Sequence, residues 1–390
     1  MNTLAKPAMR PARPEFSSGP TVKHPGWSLS NLQAAPFGRS HRSKVGKNRL
    51  KEAIDRTREV LKVPADFLIG VVPGSDTGAV EMAMWSLLGP APVQVLAWES
   101  FSKDWVIDVV DQLKLPAEVL SAPYGALPDL GKVRPDADVV FAWNGTTSGV
   151  KVPNADFISA DRTGIVICDA TSAAFAQPLD WTKLDVVTYS WQKVLGGEGA
   201  HGMLILSPRA VARLENHTPA WPMPKLFRMV NKGKFAKDIF EGATINTPSM
   251  LCNEDYLDAL KWVSSIGGVE EMYRRSDRNA GLIYEWTDKT AWVAPLAEKV
   301  ETRSNTSVCL KIVDPRVTVL EADRQAEFAK KLSDLLEKEG VALDAGGYRD
   351  APPGIRIWCG GAVEASDVEA LLPWLDWAFA TIAAELLQPA

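Results

Sequence analysis

Histidine and cysteine are scarce in this chain. Its 390 residues hold four of each: His24, His41, His201 and His217, and Cys168, Cys252, Cys309 and Cys359. No CxxC pair occurs and no histidine has metal-ligand spacing, so neither a zinc site nor a disulfide framework is expected, and no metal. A surplus of positive charge is also missing. Lysine and arginine total 43 against 48 acidic residues, a net charge of −5. General nucleic-acid binding needs a basic footprint and is excluded on that ground. Long uninterrupted apolar runs are absent too. The most apolar stretch, residues 368–387, is broken by Pro373, Asp376 and Glu385. It reads as a packed amphipathic helix and not as a membrane span. The first 14 residues carry Lys6, Arg10 and Arg13 among three prolines and have no apolar core. They are no signal peptide, and residues 1–15 read as a loose arm. With reduced thiols, this places the chain in the cytoplasm.

What is present suits a globular enzyme: 46% hydrophobic residues and 23% charged. The length calls for two domains, or a large α/β unit with a smaller appendage. From residue 47 the pattern alternates. Helical spacing over 47–61, 77–88 and 102–113 is interleaved with apolar runs at 67–72, 93–98 and 138–143. Three more runs end at Asp169, near Tyr189 and at Leu206. Short, wholly apolar strands between helices predict a mostly parallel sheet covered on both faces, with ligands at the carboxyl ends of the strands. A strand at 306–313, a helix at 321–339, a strand at 354–359 and the terminal helix describe a smaller C-terminal α+β domain. The expected division is 1–15, 16–260 and 261–390.

Two residues at strand ends carry the chemistry. Lys193 follows the run Asp185-Val186-Val187-Thr188-Tyr189 and precedes Val194-Leu195-Gly196-Gly197. Asp169, 24 residues earlier, ends the run Gly164-Ile165-Val166-Ile167-Cys168. A lone lysine before glycines is ordinarily a solvated loop residue, and a lone aspartate after a strand a helix cap. Together they suit pyridoxal phosphate (PLP): the amine forms an imine with its aldehyde, and the carboxylate keeps the pyridine nitrogen protonated, so the ring acts as an electron sink. Pro73-Gly74-Ser75-Asp76-Thr77-Gly78 lies between a strand and a helix. Small residues there let the backbone approach a phosphate at the helix N-terminus. An ordinary helix start capped by Asp76 or Thr77 is the alternative.

In this order the motifs resemble those of the fold-type I PLP enzymes of the class V aminotransferase group, and within it the phosphoserine aminotransferase family. Phe16-Ser17-Ser18-Gly19-Pro20 and Ser40-His41-Arg42-Ser43-Lys44 are similar to that family's opening motifs. Asn144-Gly145-Thr146-Thr147-Ser148-Gly149 and Ile245-Asn246-Thr247-Pro248-Ser249 are similar to its later ones. Arg349 and Arg356 fall where the family has its late arginines. The resemblance implies that Lys193 bonds the cofactor and shuttles the proton, and that Asp169 pairs with the pyridine N–H. It implies that Phe101 stacks on the ring, that Thr146 bonds the phenolic oxygen side, and that Asp76, Thr77 and Gln192 hold the phosphate. Asn246 and Thr247 would reach the neighbouring subunit's cofactor, which implies a homodimer with shared sites.

For substrates the resemblance implies glutamate and 3-phosphohydroxypyruvate, with 4-phosphohydroxythreonine of pyridoxine biosynthesis left open. Arg356 would fork the α-carboxylate. Arg42 and Arg349, with His41 and Ser18 nearby, would take the phosphate or glutamate's side-chain carboxylate. Tyr348 departs from the commoner histidine before the arginine, though its hydroxyl still donates. A serine or alanine:glyoxylate aminotransferase is the alternative within the group, but it needs only one carboxylate clamp. A non-catalytic PLP-binding protein on the same fold is the alternative outside it. No cysteine has a desulfurase context. Trp105, one helical turn beyond Phe101, is a rival stacker.

Overall fold

The computed structural model describes residues 4–231, 233–348 and 350–387. Seven strands form the central sheet: β1 (Leu68–Pro73), β2 (Val93–Ala97), β3 (Ala117–Ser121), β4 (Asp138–Ala142), β5 (Val166–Asp169), β6 (Val186–Ser190) and β7 (His201–Leu206). Their order is β1-β7-β6-β5-β4-β2-β3. Only β7 runs antiparallel to its neighbours. Alternate side chains feed opposite faces. Val139 and Phe141 join one core cluster and Val140 the other, as the two-residue period of a strand requires. Near-continuous burial of β4, β5 and β6 explains why they read as unbroken apolar runs.

Local signals set the helix ends. Helix α1 (Lys44–Leu61) starts where the Ser43 side chain accepts from the Gly46 N–H at 3.2 Å. It stops at Lys62 in the left-handed region, and its buried face includes Leu50, Ile54, Thr57 and Leu61. Helix α2 (Ser75–Leu87) starts two residues before its expected position. Its N-cap is Gly74, at φ 84°, rather than Asp76 or Thr77. Helix α3 (Ser100–Ile107) is held by a capping box between Glu99 and Ser102 and passes into a π-helical turn, Asp108–Gln112. Edge strand β3 has no counterpart in the sequence expectation, because Glu118 and Val119 are exposed and break the apolar pattern.

Two helices, Met250–Ser265 and Val269–Thr287, follow and are parted at Gly267-Gly268. The first packs on α1 and the second on the terminal helix Ala365–Leu386. A three-stranded antiparallel sheet completes the smaller domain: β8 (Val293–Pro295), β9 (Ser307–Ile312) and β10 (Gly354–Trp358). The helix Ala322–Lys338 packs on β10.

The N-terminal arm is not loose from residue 4 onward. Trp374 donates its indole N–H to the Met9 carbonyl at 2.7 Å, and the Ala12 N–H donates to Asp367 at 2.7 Å. Arg10 and Lys6 lie over Trp374 and pair with Glu339. The expectation failed because the arm's basic residues and prolines read as solvated chain, while its partners lie more than 300 residues away in sequence. The arm leads to Phe16, which is fully buried and accepts from the Trp358 N–H at 3.1 Å. The chain then crosses from the small domain to the sheet edge.

Candidate active site

Parallel β1, β5 and β6 end at one edge of the sheet, and the cleft opens there. It encloses about 670 Å³. Its walls include Ser75, Asp76 and Thr77 at the start of α2, Phe101 and Trp105 on α3, Thr146, Asp169, Gln192 and Lys193. The topology therefore joins the strand-end lysine, the strand-end aspartate and the small-residue turn that the sequence singles out.

Lys193 is 9% exposed. Its Nζ donates to the Ser18 carbonyl oxygen and stands 5.8 Å from the centroid of the Trp358 ring. Burial, aided by the nearby Arg356 charge, pulls its pKa down to about 8, while Asp169, Glu99 and Asp76 oppose the fall. The segment Ser18–Thr21 closes over this amine. The Thr21 N–H donates to the Gln192 carbonyl at 3.0 Å, and the Thr21 hydroxyl bonds the Lys193 carbonyl. Gly19, at φ 146°, has no room for a side chain, since a Cβ there would sit 2.8 Å from the Lys193 Nζ. Gly196 has the same reason on the other flank: a Cβ would lie 2.1 Å from the Val22 carbonyl oxygen.

Asp169 is 9% exposed. It accepts from the Thr171 N–H at 2.9 Å and from the Trp105 indole N–H at 3.3 Å. Trp105 is thus a carboxylate partner rather than a rival stacker. Its spacing of four residues from Phe101 puts both on one helix face, a signal present in the sequence. Glu99 was also missed. Wholly buried, it accepts from the Ser102 N–H at 2.8 Å and the Thr147 hydroxyl at 2.7 Å, and so ties α3 to the Asn144–Gly149 loop. Thr146 bonds the Ser172 hydroxyl and gives its carbonyl to the Ser307 hydroxyl at 2.6 Å.

Several buried polar atoms of this cleft and its floor lack a hydrogen-bond partner among the described residues: Asp76 Oδ1, Asn144 Nδ2, Thr171 Oγ1, Thr188 Oγ1, Ser190 Oγ and Gln192 Oε1. Buried polar groups are normally satisfied. Such a cluster fits a polar ligand. The set matches PLP end for end: an amine for the aldehyde, an anion for the pyridine nitrogen, and a helix N-terminus for the phosphate. Asp76 lines the same cleft as Asp169; burial first, and the Asp169 charge second, push it well above the usual carboxylate range.

On the small-domain side, Tyr348 stacks on Phe101, and the Arg356 guanidinium lies 5.1 Å from the Tyr348 ring centroid. Arg349 lies outside the described residues. His41, Arg42, Asn246 and Thr247 do not line this cleft. Arg42, Asn246 and Thr247 are exposed. The segment holding Asn246 and Thr247 is fixed from behind by His201, whose Nε2 accepts from the Ser249 N–H at 2.9 Å, while burial pulls the His201 pKa down to about 4. Among the described residues no group of acids, histidines and cysteines could hold a metal ion, and no helix is long and apolar enough to cross a membrane.

Comparison with known proteins agrees with this geometry. The family profile "Aminotransferase class-V" matches residues 129–356, more than half of the chain. A curated phosphoserine aminotransferase of Methanosarcina mazei is 56% identical over 375 residues, covering 96% of this chain and 99% of the relative. Among solved structures, a phosphoserine aminotransferase of Cytophaga hutchinsonii superposes with a TM-score of 0.78 at 20% identity, covering 93% of this chain and 97% of that one. An alanine–glyoxylate aminotransferase of Nostoc superposes with a TM-score of 0.76 at 18% identity, covering 96% and 97%. The fold alone therefore does not separate the two activities; the 56% identity does.

Proposed function

The chain belongs to the class V aminotransferases and, within them, to the phosphoserine aminotransferase family. From this premise we propose that it moves an amino group between L-glutamate and 3-phosphohydroxypyruvate, giving O-phospho-L-serine and 2-oxoglutarate for serine biosynthesis. The observation that carries the reading is Lys193: a buried amine with its pKa lowered to about 8, at the sheet edge where Asp169 ends, inside a cleft of unpartnered polar atoms.

Bound in the cleft, PLP supplies the electron sink that acidifies the substrate's α-hydrogen. The chain's own residues do the rest. Lys193 holds the cofactor and carries the proton from the substrate α-carbon. Asp169, which accepts from two N–H donors, would pair with the pyridine nitrogen. Phe101 stacks on the ring and Thr146 bonds its phenolic oxygen side. The N–H groups at the start of α2, the Thr77 hydroxyl and Gln192 take the phosphate. Arg356 forks the α-carboxylate, and Ser18 of the covering segment takes part in holding the substrate. Glutamate enters and leaves as 2-oxoglutarate before the keto acid takes the amine, a ping-pong order.

The reading includes a homodimer in the cytoplasm. Arg42, His41, Asn246 and Thr247 serve the partner's cleft, where Arg42 and His41 meet the substrate phosphate with Arg349 and Tyr348. Two observations support this. Arg42, Asn246 and Thr247 are exposed, and the large apolar side chains Val45 and Leu251, close to Arg42 and Thr247 in the chain, are exposed as well. A coupled assay offering glutamate with 3-phosphohydroxypyruvate, glyoxylate or pyruvate tests the assignment. Turnover should favour 3-phosphohydroxypyruvate by orders of magnitude, and a preference for glyoxylate would overturn it.

A further inference from the structure

A chain of three side-chain amides runs from the small domain to the wall of the cleft. Its outer end is Asn305, just before β9. The Asn305 Nδ2 donates to the Asp277 carboxylate at 2.7 Å and to the Ala176 carbonyl at 2.9 Å. A carboxylate and a carbonyl only accept, so this amide can point one way alone. Its Oδ1 accepts from Gln177 Nε2 at 2.8 Å. The same Gln177 Nε2 also donates to Asn144 Oδ1, at 3.0 Å. Turned over, Gln177 would set its own oxygen against two carbonyl oxygens. It makes both donations although its Oε1 is left without a partner among the described residues. All three amides are buried, and Asn144 lines the cleft. With its oxygen taken, Asn144 has its Nδ2 left to offer, and that atom has no partner among the described residues.

We propose that Gln177 is a positioning residue, which holds the Asn144 amide with its N–H group as a donor for an acceptor oxygen of the PLP bound in the cleft. The direction passes along the chain step by step. Asp277 and the Ala176 carbonyl fix Asn305, Asn305 fixes Gln177, and Gln177 fixes Asn144. An unrestrained asparagine amide presents N–H or C=O with equal ease, and only the N–H suits an anionic ligand. A buried N–H left unpaired is costly, so a cleft residue that keeps one is arranged for what binds there. Because the amide is turned before the ligand arrives, binding spends nothing on ordering it. The chain also joins the domains. Asp277, on the helix Val269–Thr287, and Asn305 belong to the smaller one, and Gln177 and Asn144 to the large sheet. Docking of the small domain thereby sets the direction of a donor in the other domain's cleft. That the acceptor belongs to PLP rests on the reading of this cleft as a PLP site; the locked direction of the amides does not.

Equilibrium binding of PLP to the apoprotein, read by quenching of tryptophan fluorescence, tests the role in a double-mutant cycle. Asn144→Ala removes the donor and should raise Kd by about tenfold to a hundredfold, the worth of a hydrogen bond to a charged group. Gln177→Met keeps the bulk of the side chain but frees the Asn144 amide, and should raise Kd several-fold. The double variant should bind like Asn144→Ala alone, because Gln177 acts through Asn144. A packing role for Gln177 would instead persist without the Asn144 amide. Additive losses, or a Gln177→Met protein that binds PLP as wild type does, overturn the proposal. If Gln177→Met does not fold, Asn305→Ser unlocks Gln177 from its other side and takes its place in the cycle. Hydrogen exchange gives a readout that needs no cofactor. In apoprotein carrying isotope-labelled glutamine, both side-chain N–H groups of Gln177 should exchange slowly, since both are buried donors. Fast exchange of either one overturns the locked chain. A wild type that bound no PLP would sink the reading of the site, while the exchange measurement would still decide whether Gln177 is locked.

Discussion

Tyr348 of the small domain stacks on Phe101 of α3, with ring centroids 5.7 Å apart and planes 21° from parallel. The contact bridges the two domains at the mouth of the cleft. Asp350, two residues on, reinforces it. Its carboxylate pairs with Lys103 at 2.6 Å and accepts from the Tyr124 hydroxyl at 2.9 Å, which holds it well below the usual carboxylate range. The loop that carries Tyr348 is thus pinned to the helix that carries the expected ring stacker.

Coupling between these rings should be measurable. A double-mutant cycle with Phe101→Leu and Tyr348→Leu, read in kcat/KM for phosphoserine, should give about 0.5–1.5 kcal/mol of interaction energy. A value near zero would mean that the stack does not form during turnover.

Lys193 should govern cofactor loading, because only the unprotonated amine attacks the aldehyde. With its pKa at about 8, the rate of PLP uptake by apoprotein should climb through about pH 8 and then level. Borohydride reduction and peptide mapping should place the pyridoxyl label on Lys193; a label elsewhere overturns the assignment. Stability carries the matching sign. The native apoprotein binds fewer protons than the unfolded chain between about 8 and the ordinary 10.5, so it gains stability as pH rises across that window. Lys193→Met should abolish the gain.

Asn246 and Thr247 should act in trans. Inactive Lys193→Ala subunits mixed with inactive Asn246→Ala/Thr247→Ala subunits should recover about a quarter of wild-type sites after random exchange of two-site dimers. Absence of rescue with proven subunit exchange means that each cleft is self-contained.

The two late arginines should separate substrates. Arg349→Ala should lower kcat/KM for phosphoserine by about tenfold to a hundredfold, since a charge-assisted hydrogen bond is worth ~1.5–3 kcal/mol. Unphosphorylated serine should be affected far less. Arg356→Ala should weaken both alike, because both carry the α-carboxylate. Equal losses on the two substrates for Arg349→Ala remove the phosphate-reading role.

The elements that hold the chemistry were the legible ones. The buried apolar runs of β4, β5 and β6, rich in valine and isoleucine, announce themselves because both faces of the sheet are covered. Their ends mark Asp169 and Lys193. The partners of those two residues were hidden for different reasons. Trp105 reads as a rival stacker until its indole N–H is seen to meet Asp169. Glu99 carries no local signal in the sequence, yet it is fully buried and accepts from the Thr147 hydroxyl. The company that Asp76 keeps depends on which strand ends lie side by side, and no local pattern encodes that. The arm's docking depends on Trp374 and Asp367, at the opposite end of the chain.

The environment of Lys193 is assembled from the beginning, middle and near-end of the polypeptide: Ser18, the Asp169 strand edge, and Trp358 on β10. During synthesis, the large sheet and the Ser18–Thr21 segment are complete once β7 emerges, yet the amine still lacks the wall that carries Trp358. Contacts of such long sequence separation close last. The wall that Trp358 and Arg356 form beside Lys193 is therefore added only after β10 has been made.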